Sequence, residues 1–202
     1  AGAPFTVASY MIEGGSSSDL ANTRNMLKEA PSQFHQLMEK LTTVTCDYAL
    51  AQIDAGIKAF QIFDTWACHL NTNEFKQFSL PYIEKIVSTI KKNSSLPVIV
   101  FAKDTSRLAP SIADISPHVI SADWHCDLAD LRRDLGSSIA LQGNLKPEFL
   151  FEEASILESE VTRILDSMSN QGGYIFNLGH GMMPKMDPEK LRLVVECVQN
   201  HR

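Results

Sequence analysis

The stretch NLGHGMMP, residues 177–184, sets His180 between Gly179 and Gly181 directly after the apolar run Tyr174-Ile175-Phe176. Glycine lets backbone take positive φ or approach another group closely, which suits an imidazole aimed at a ligand and suits a plain turn equally well. The neighbours Cys68-His69 and His125-Cys126 raise the question of zinc. Adjacent residues rarely turn both side chains to one ion, and the separated spacings of metal sites (C-x-x-C, H-x-C) are missing, so no metal is expected. Asp64, Asp104 and Asp123 follow apolar runs and read as helix caps or as carboxylates supporting a site, with capping the simpler reading for the first two. Lys103 and Arg107 bring the only cationic pair to the end of such a run.

These residues recur at comparable places, which indicates the elements that carry them. Short β-like runs lie at Ala59–Phe63, Pro97–Ala102, His118–Ala122, Ser138–Gln142 and Tyr174–Leu178, and a sixth is expected at the very start. Helical patterns fill the gaps. Pro31–Ala55 reads as one long helix stopped by Gly56, and Glu74–Lys91 as another with a kink expected at Pro81. Leu128–Leu135, Ile156–Met168 and a helix opened by Asp187-Pro188 complete the alternation. Strands separated by whole helices run parallel, so a doubly wound sheet or an α/β barrel follows. In a barrel, chemistry belongs to the segments after the strands: Thr6–Gly15, Asp64–Leu70, Lys103–Arg107, Asp123–Asp127, Gly143–Pro147 and Gly179–Pro184 are expected as those loops.

The composition sets outer limits. At 202 residues, 44% apolar and 21% charged, the chain can bury a sizeable core as one continuous unit. No apolar stretch approaches the roughly 18 residues of a membrane helix, so no membrane role is expected. A formal charge of -6 without a basic cluster argues against nucleic acid. Cys46, Cys68, Cys126 and Cys197 are widely spaced and read as reduced thiols in the cytosol.

AGAPFTVASYMIEGG, QIFDTWACHL with FSLPYIEKI, PVIVFAKD, SADW, LQGNLKP and FNLGHGMMPKMDPEKL resemble, in order, the successive blocks of the uroporphyrinogen decarboxylases. The resemblance implies a (β/α)8 TIM barrel, a cytosolic homodimer (or a plastid one, given a transit peptide), and no metal or organic cofactor. It also implies the reaction: removal of the four acetate carboxyls of uroporphyrinogen III to give coproporphyrinogen III. Tyr10, Thr65 and His180 fall on the family's substrate-contacting residues, and Phe63 is expected to line the same cavity. Taken alone, Tyr10 reads as a rim aromatic and Thr65 as a cap.

By the same resemblance residues 1–202 are expected to be the C-terminal two-thirds of a single (β/α)8 decarboxylase domain, its third to eighth strands. The family's R-Q-A-G-R segment and pyrrole-binding aspartate are not among them, so no catalytic proton donor is assigned here. Cys68 stands where a small residue is common and is expected to crowd its loop. Two other readings compete: a corrinoid-linked zinc methyltransferase of the same superfamily, against which FAKDTS lacks the expected H-x-C, and an inactive binding fragment.

Overall fold

A computed structural model of the chain describes residues 1–169 and 171–201. In chain order the elements are α1 (Pro4–Glu13), α2 (Ala21–Glu29), α3 (Pro31–Asp54), β1 (Phe60–Asp64), α4 (Thr72–Phe78), α5 (Leu80–Asn93) and β2 (Val98–Ala102). They continue with α6 (Thr105–Asp114), β3 (Val119–Ser121), α7 (Leu128–Leu135), β4 (Ala140–Leu145), α8 (Ala154–Met168), β5 (Tyr174–Leu178) and α9 (Pro188–Asn200). Short 3₁₀ turns occupy Thr65–His69 and Pro147–Phe151.

All four strand pairings are parallel, and the sheet order is β1-β2-β3-β4-β5, with at least one helix in every crossover. Crossovers of one hand that each advance by one strand leave all their helices on the same face. That face is dry: Ile62, Val98, Val100, Ala102, Ile120, Ala122, Leu141 and Leu145 are fully buried. The opposite face carries the lateral row Phe63, Phe101, Ser121, Gln142 and Ile175, whose outermost members Phe63 and Ile175 are 43% and 44% exposed. Helices thus hold one side of the sheet and leave the other free for a ligand. The architecture is a parallel five-stranded α/β sheet flanked by helices, barrel-like in its winding.

Four expectations are corrected. The opening residues make no full strand: Gly2 forms a single parallel bridge to Phe63 before Pro4, whose fixed φ and missing N–H suit the first turn of a helix, starts α1. Thr6–Gly15 is therefore mostly helix, ended by Gly14 at φ 76°, so Tyr10 is a helical residue. The pattern Glu74–Lys91 is two helices broken at Ser79, with Pro81 in the first turn of α5. Ser79 turns its hydroxyl inward onto the Asp64 carboxylate, and Pro81 cannot donate to the carbonyl four residues back. β4 also runs on through Gly143-Asn144-Leu145, which read as loop.

Before α4 stands a full capping box: Asn71 accepts from the Glu74 N–H at 2.9 Å while Glu74 accepts from the Asn71 N–H at 2.9 Å. In a seven-residue helix such caps matter more than propensity. Asn71→Ala is expected to cost about 1 kcal/mol in a denaturant midpoint experiment with an unchanged m-value.

Candidate functional site

Because the strands are parallel, their carboxyl ends share one edge, and there a cavity of about 500 Å³ opens against the free face of the sheet. Phe63, Phe101, Leu178 and Met182 give it apolar walls; Gln61, Thr65, Ser121, Asn177 and His180 supply polar groups. Thr65 follows β1 and His180 follows β5, the two edges of the sheet. In a flat sheet those edges would lie about 19 Å apart. Their meeting around one hollow requires the sheet to curl.

His180 is positioned by close packing. Gly179 donates its N–H to the Leu145 carbonyl at 2.7 Å, and a Cβ built there would lie 2.6 Å from the Trp124 backbone nitrogen. Only glycine fits. At Gly181 a Cβ would meet nothing within 4 Å, so of the two flanking glycines one is required by close approach and neither by positive φ. The imidazole stands edge-on to Trp124 (centroids 5.9 Å, 86°) and to Phe101 (6.1 Å, 74°). Burial, and then the Lys103 ammonium, hold its pKa below the usual histidine value, leaving a neutral ring with one N–H to donate at neutral pH.

Thr65 lies on the cavity wall, and among the described residues its hydroxyl makes no hydrogen bond; the cap reading fails because no side chain caps this 3₁₀ turn. Tyr10 does not line the cavity. It packs on α1 edge-on to Trp66, the residue after Thr65, with centroids 5.8 Å apart and the ring 44% exposed. The structure therefore brings Thr65 and His180 together and sets Tyr10 behind the Thr65 turn. Phe63 lines the cavity as expected.

Two of the aspartates do not cap, and the third caps a helix that does not follow it. Asp64 does not cap the following turn; fully buried, it accepts from Thr6 Oγ1 at 2.8 Å and from Ser79 Oγ. Thr6 Oγ1 in turn accepts the Trp66 N–H at 3.2 Å, so one carboxylate ties α1 to the Thr65 turn. Asp104 pairs with Arg107 at 2.6 Å instead of capping α6. The cap comes from Asp123, which accepts the N–H groups of Asp104 and Thr105 across the sheet. Asn144 then donates to the carbonyls of Asp123 and Cys126 at 2.8 and 2.7 Å, fastening the turn that carries Trp124.

Cys126 is tucked under that turn, and burial and Asp123 push its thiol up to about 12, which keeps it protonated at neutral pH. Cys68 donates to the Thr65 carbonyl at 3.5 Å, a contact that fits its loop rather than crowding it. Among the described residues no three His, Cys, Asp or Glu side chains converge as metal ligands, and all four cysteines are free. Sequence reasoning passed over Trp124, Phe101, Gln61 and Ser121. The available signal was polar or aromatic residues at alternate positions in otherwise aliphatic strands.

The sequence model of the family described as uroporphyrinogen decarboxylase matches residues 1–201. The chain belongs to the uroporphyrinogen decarboxylase family. Relatives include the uroporphyrinogen decarboxylases of Pelobacter propionicus (41% identity, 98% of this chain, 58% of that protein) and Protochlamydia amoebophila (41%, 100% and 55%). The chain spans a little over half the length of these relatives. This corrects the expectation of a C-terminal two-thirds: essentially the whole chain aligns within the family, over 55–58% of its members' length, and its first residues form a bridge instead of the sixth strand that expectation needed.

Among solved structures, a methyltransferase from Methanosarcina mazei superposes with TM-score 0.83 at 17% identity, covering 98% of this chain and 57% of that one. At that identity the likeness concerns the fold alone. No helix among the described residues is long and apolar enough to cross a membrane.

Proposed function

We propose that the protein decarboxylates uroporphyrinogen III, turning four acetate side chains into methyl groups and yielding coproporphyrinogen III without metal or organic cofactor. One observation supports the reading most: Thr65 and His180, from opposite edges of the sheet, face a single cavity walled by Phe63 and Phe101. Aromatic walls suit a flat macrocycle, and neutral donors suit carboxylates held away from water.

The chemistry asks little covalent work of a protein. Protonating the electron-rich pyrrole makes the ring an electron acceptor; the C–CO₂ bond then breaks, its electron pair flows to the ring, the exocyclic carbon takes a proton, and the ring returns its own. The residues of this chain bind and orient. Thr65 and neutral His180 each donate to a substrate carboxylate, while Tyr10, packed on Trp66, supports the Thr65 turn from behind. The consecutive order of the strands and the curl of the sheet favour a (β/α)8 barrel as the parent architecture. A cytosolic homodimer belongs to the same proposal.

Incubated anaerobically with uroporphyrinogen III, the protein is expected to release coproporphyrinogen III, read by chromatography of the oxidised porphyrins, with no loss on adding chelators. Chelator-sensitive methyl transfer would favour the zinc methyltransferase instead, and porphyrin binding without CO₂ release a binding-only role. In His180→Ala, loss of one donor to a charged acceptor should weaken porphyrin binding about tenfold with the unfolding midpoint unchanged. Unaltered affinity removes His180 from the site.

A further inference from the structure

The cavity polar groups described so far are neutral, yet a ligand rich in carboxylates needs a positive charge near them. We infer that Lys103 is that charge: an anion-binding residue at the cavity mouth that receives a substrate carboxylate beside His180. The inference rests on the proposed macrocyclic polycarboxylate and names how this site holds it.

Lys103 follows β2, which lies between β1 and β5 in the sheet, at the strand ends where the cavity opens and just outside its wall. Its Nζ stands over the Trp124 ring, 5.8 Å from the centroid, and the same indole packs perpendicular to the His180 imidazole. A cation over an indole is held without being neutralised. The neighbouring cation differs. Arg107 is paired with Asp104 at 2.6 Å, whereas Lys103 makes no ion pair among the described residues. Burial first, and then the Lys103 ammonium, lower the pKa of His180, and behind burial and Arg24 the same ammonium lowers that of His69, as expected of a charge lying between β5 and the Thr65–His69 turn.

A carboxylate arriving there meets an ammonium already oriented by an aromatic face and an imidazole N–H beside it. Both contacts become stronger as the mouth fills and water leaves. Lysine serves this purpose as a compact point charge, so arginine should substitute only in part.

The test titrates the chain, by tryptophan fluorescence, with uroporphyrin and separately with benzenehexacarboxylate, a polycarboxylate without a macrocycle. Lys103→Met should weaken both about tenfold and flatten their salt dependence, while Lys103→Arg recovers part of the loss. In the same variant the His180 proton resonances should titrate at higher pH, a change that a packing role for Lys103 would not produce. Binding of both anions by Lys103→Met at wild-type affinity overturns the inference, as does failure of the wild type to bind either. If the wild type binds benzenehexacarboxylate through Lys103 but no porphyrin, the anion site stands and the decarboxylase reading falls.

Discussion

Gly179→Ala is expected to destabilise the chain by about 3 kcal/mol and to abolish ligand binding in whatever folded fraction remains. The added Cβ would sit 2.6 Å from the Trp124 nitrogen and 3.1 Å from the Asn144 carbonyl oxygen, both backbone atoms that no rotamer change can move aside. Relief requires β5 to retreat from β4 or the Trp124 turn to leave its anchor on Asn144. Either movement separates His180 from Trp124, and with it from the cavity wall. Gly181→Ala is the matched control. Its Cβ meets nothing within 4 Å, so its unfolding midpoint should shift by less than about 0.5 kcal/mol. Urea titrations of the two variants check the pair, and equal midpoints would refute the packing argument.

That contrast marks what a sequence can disclose about the site. A histidine between two glycines announces a special backbone. Which glycine is special depends on a strand and a turn from residues 123–144, more than thirty positions earlier. Thr65 and His180 were recognisable from their motifs, and the cavity joins them. Tyr10 is equally recognisable, but its distance from the cavity wall depends on α1, for which the sequence predicts a loop because AGAPFTV looks like the tail of a strand. Helix and strand are hard to tell apart in short apolar runs of this kind.

The strands after residue 58 were legible for a plain reason. Each is a brief, largely apolar run bounded by polar residues, buried on its helix-facing side in β1 to β4 and half-buried there in the edge strand β5. α6 gives no local signal because Pro110 lies inside it and because its N-terminus is capped by Asp123, from the segment after β3. α2 opens at Leu20 in a left-handed conformation without a side-chain cap hydrogen bond of its own; instead Glu13, at the end of α1, accepts from the Thr23 N–H at 2.7 Å. Long-range caps are invisible to a reading that looks three residues ahead. The capping reading of Asp64 and Asp104 fails on the same ground, since Asp64 bonds hydroxyls that the fold brings from elsewhere and Asp104 a side chain one turn on, while Asp123 does cap a helix, one distant in sequence.

Asp64 carries the second large effect, and its sign depends on pH. Burial raises its pKa from the ordinary aspartate value of 3.8 to about 6, against the lowering effect of the Ser79 and Thr6 hydroxyls. The folded chain therefore holds this proton more tightly than the unfolded chain. Stability from this group is fully present below pH 3.8, falls as pH rises toward 6, and is flat above that, by up to about 3 kcal/mol. Asp64→Asn removes the titration while keeping the size and one acceptor; the hydroxyl facing the new amide must rotate to accept. Its unfolding free energy should lose the downward slope between pH 4 and 6 that the parent shows, and at pH 7 should match or exceed the parent's. Asp64→Ala takes away both acceptors and leaves Thr6 and Ser79 buried without their partner, at a cost of about 3 kcal/mol. It also frees α1 from the Thr65 turn, so porphyrin affinity should fall with stability in the alanine variant and hold in the asparagine variant. An asparagine variant that keeps the wild-type pH slope would show that the proton is bound elsewhere, and that Asp64 stays charged between its two hydroxyls.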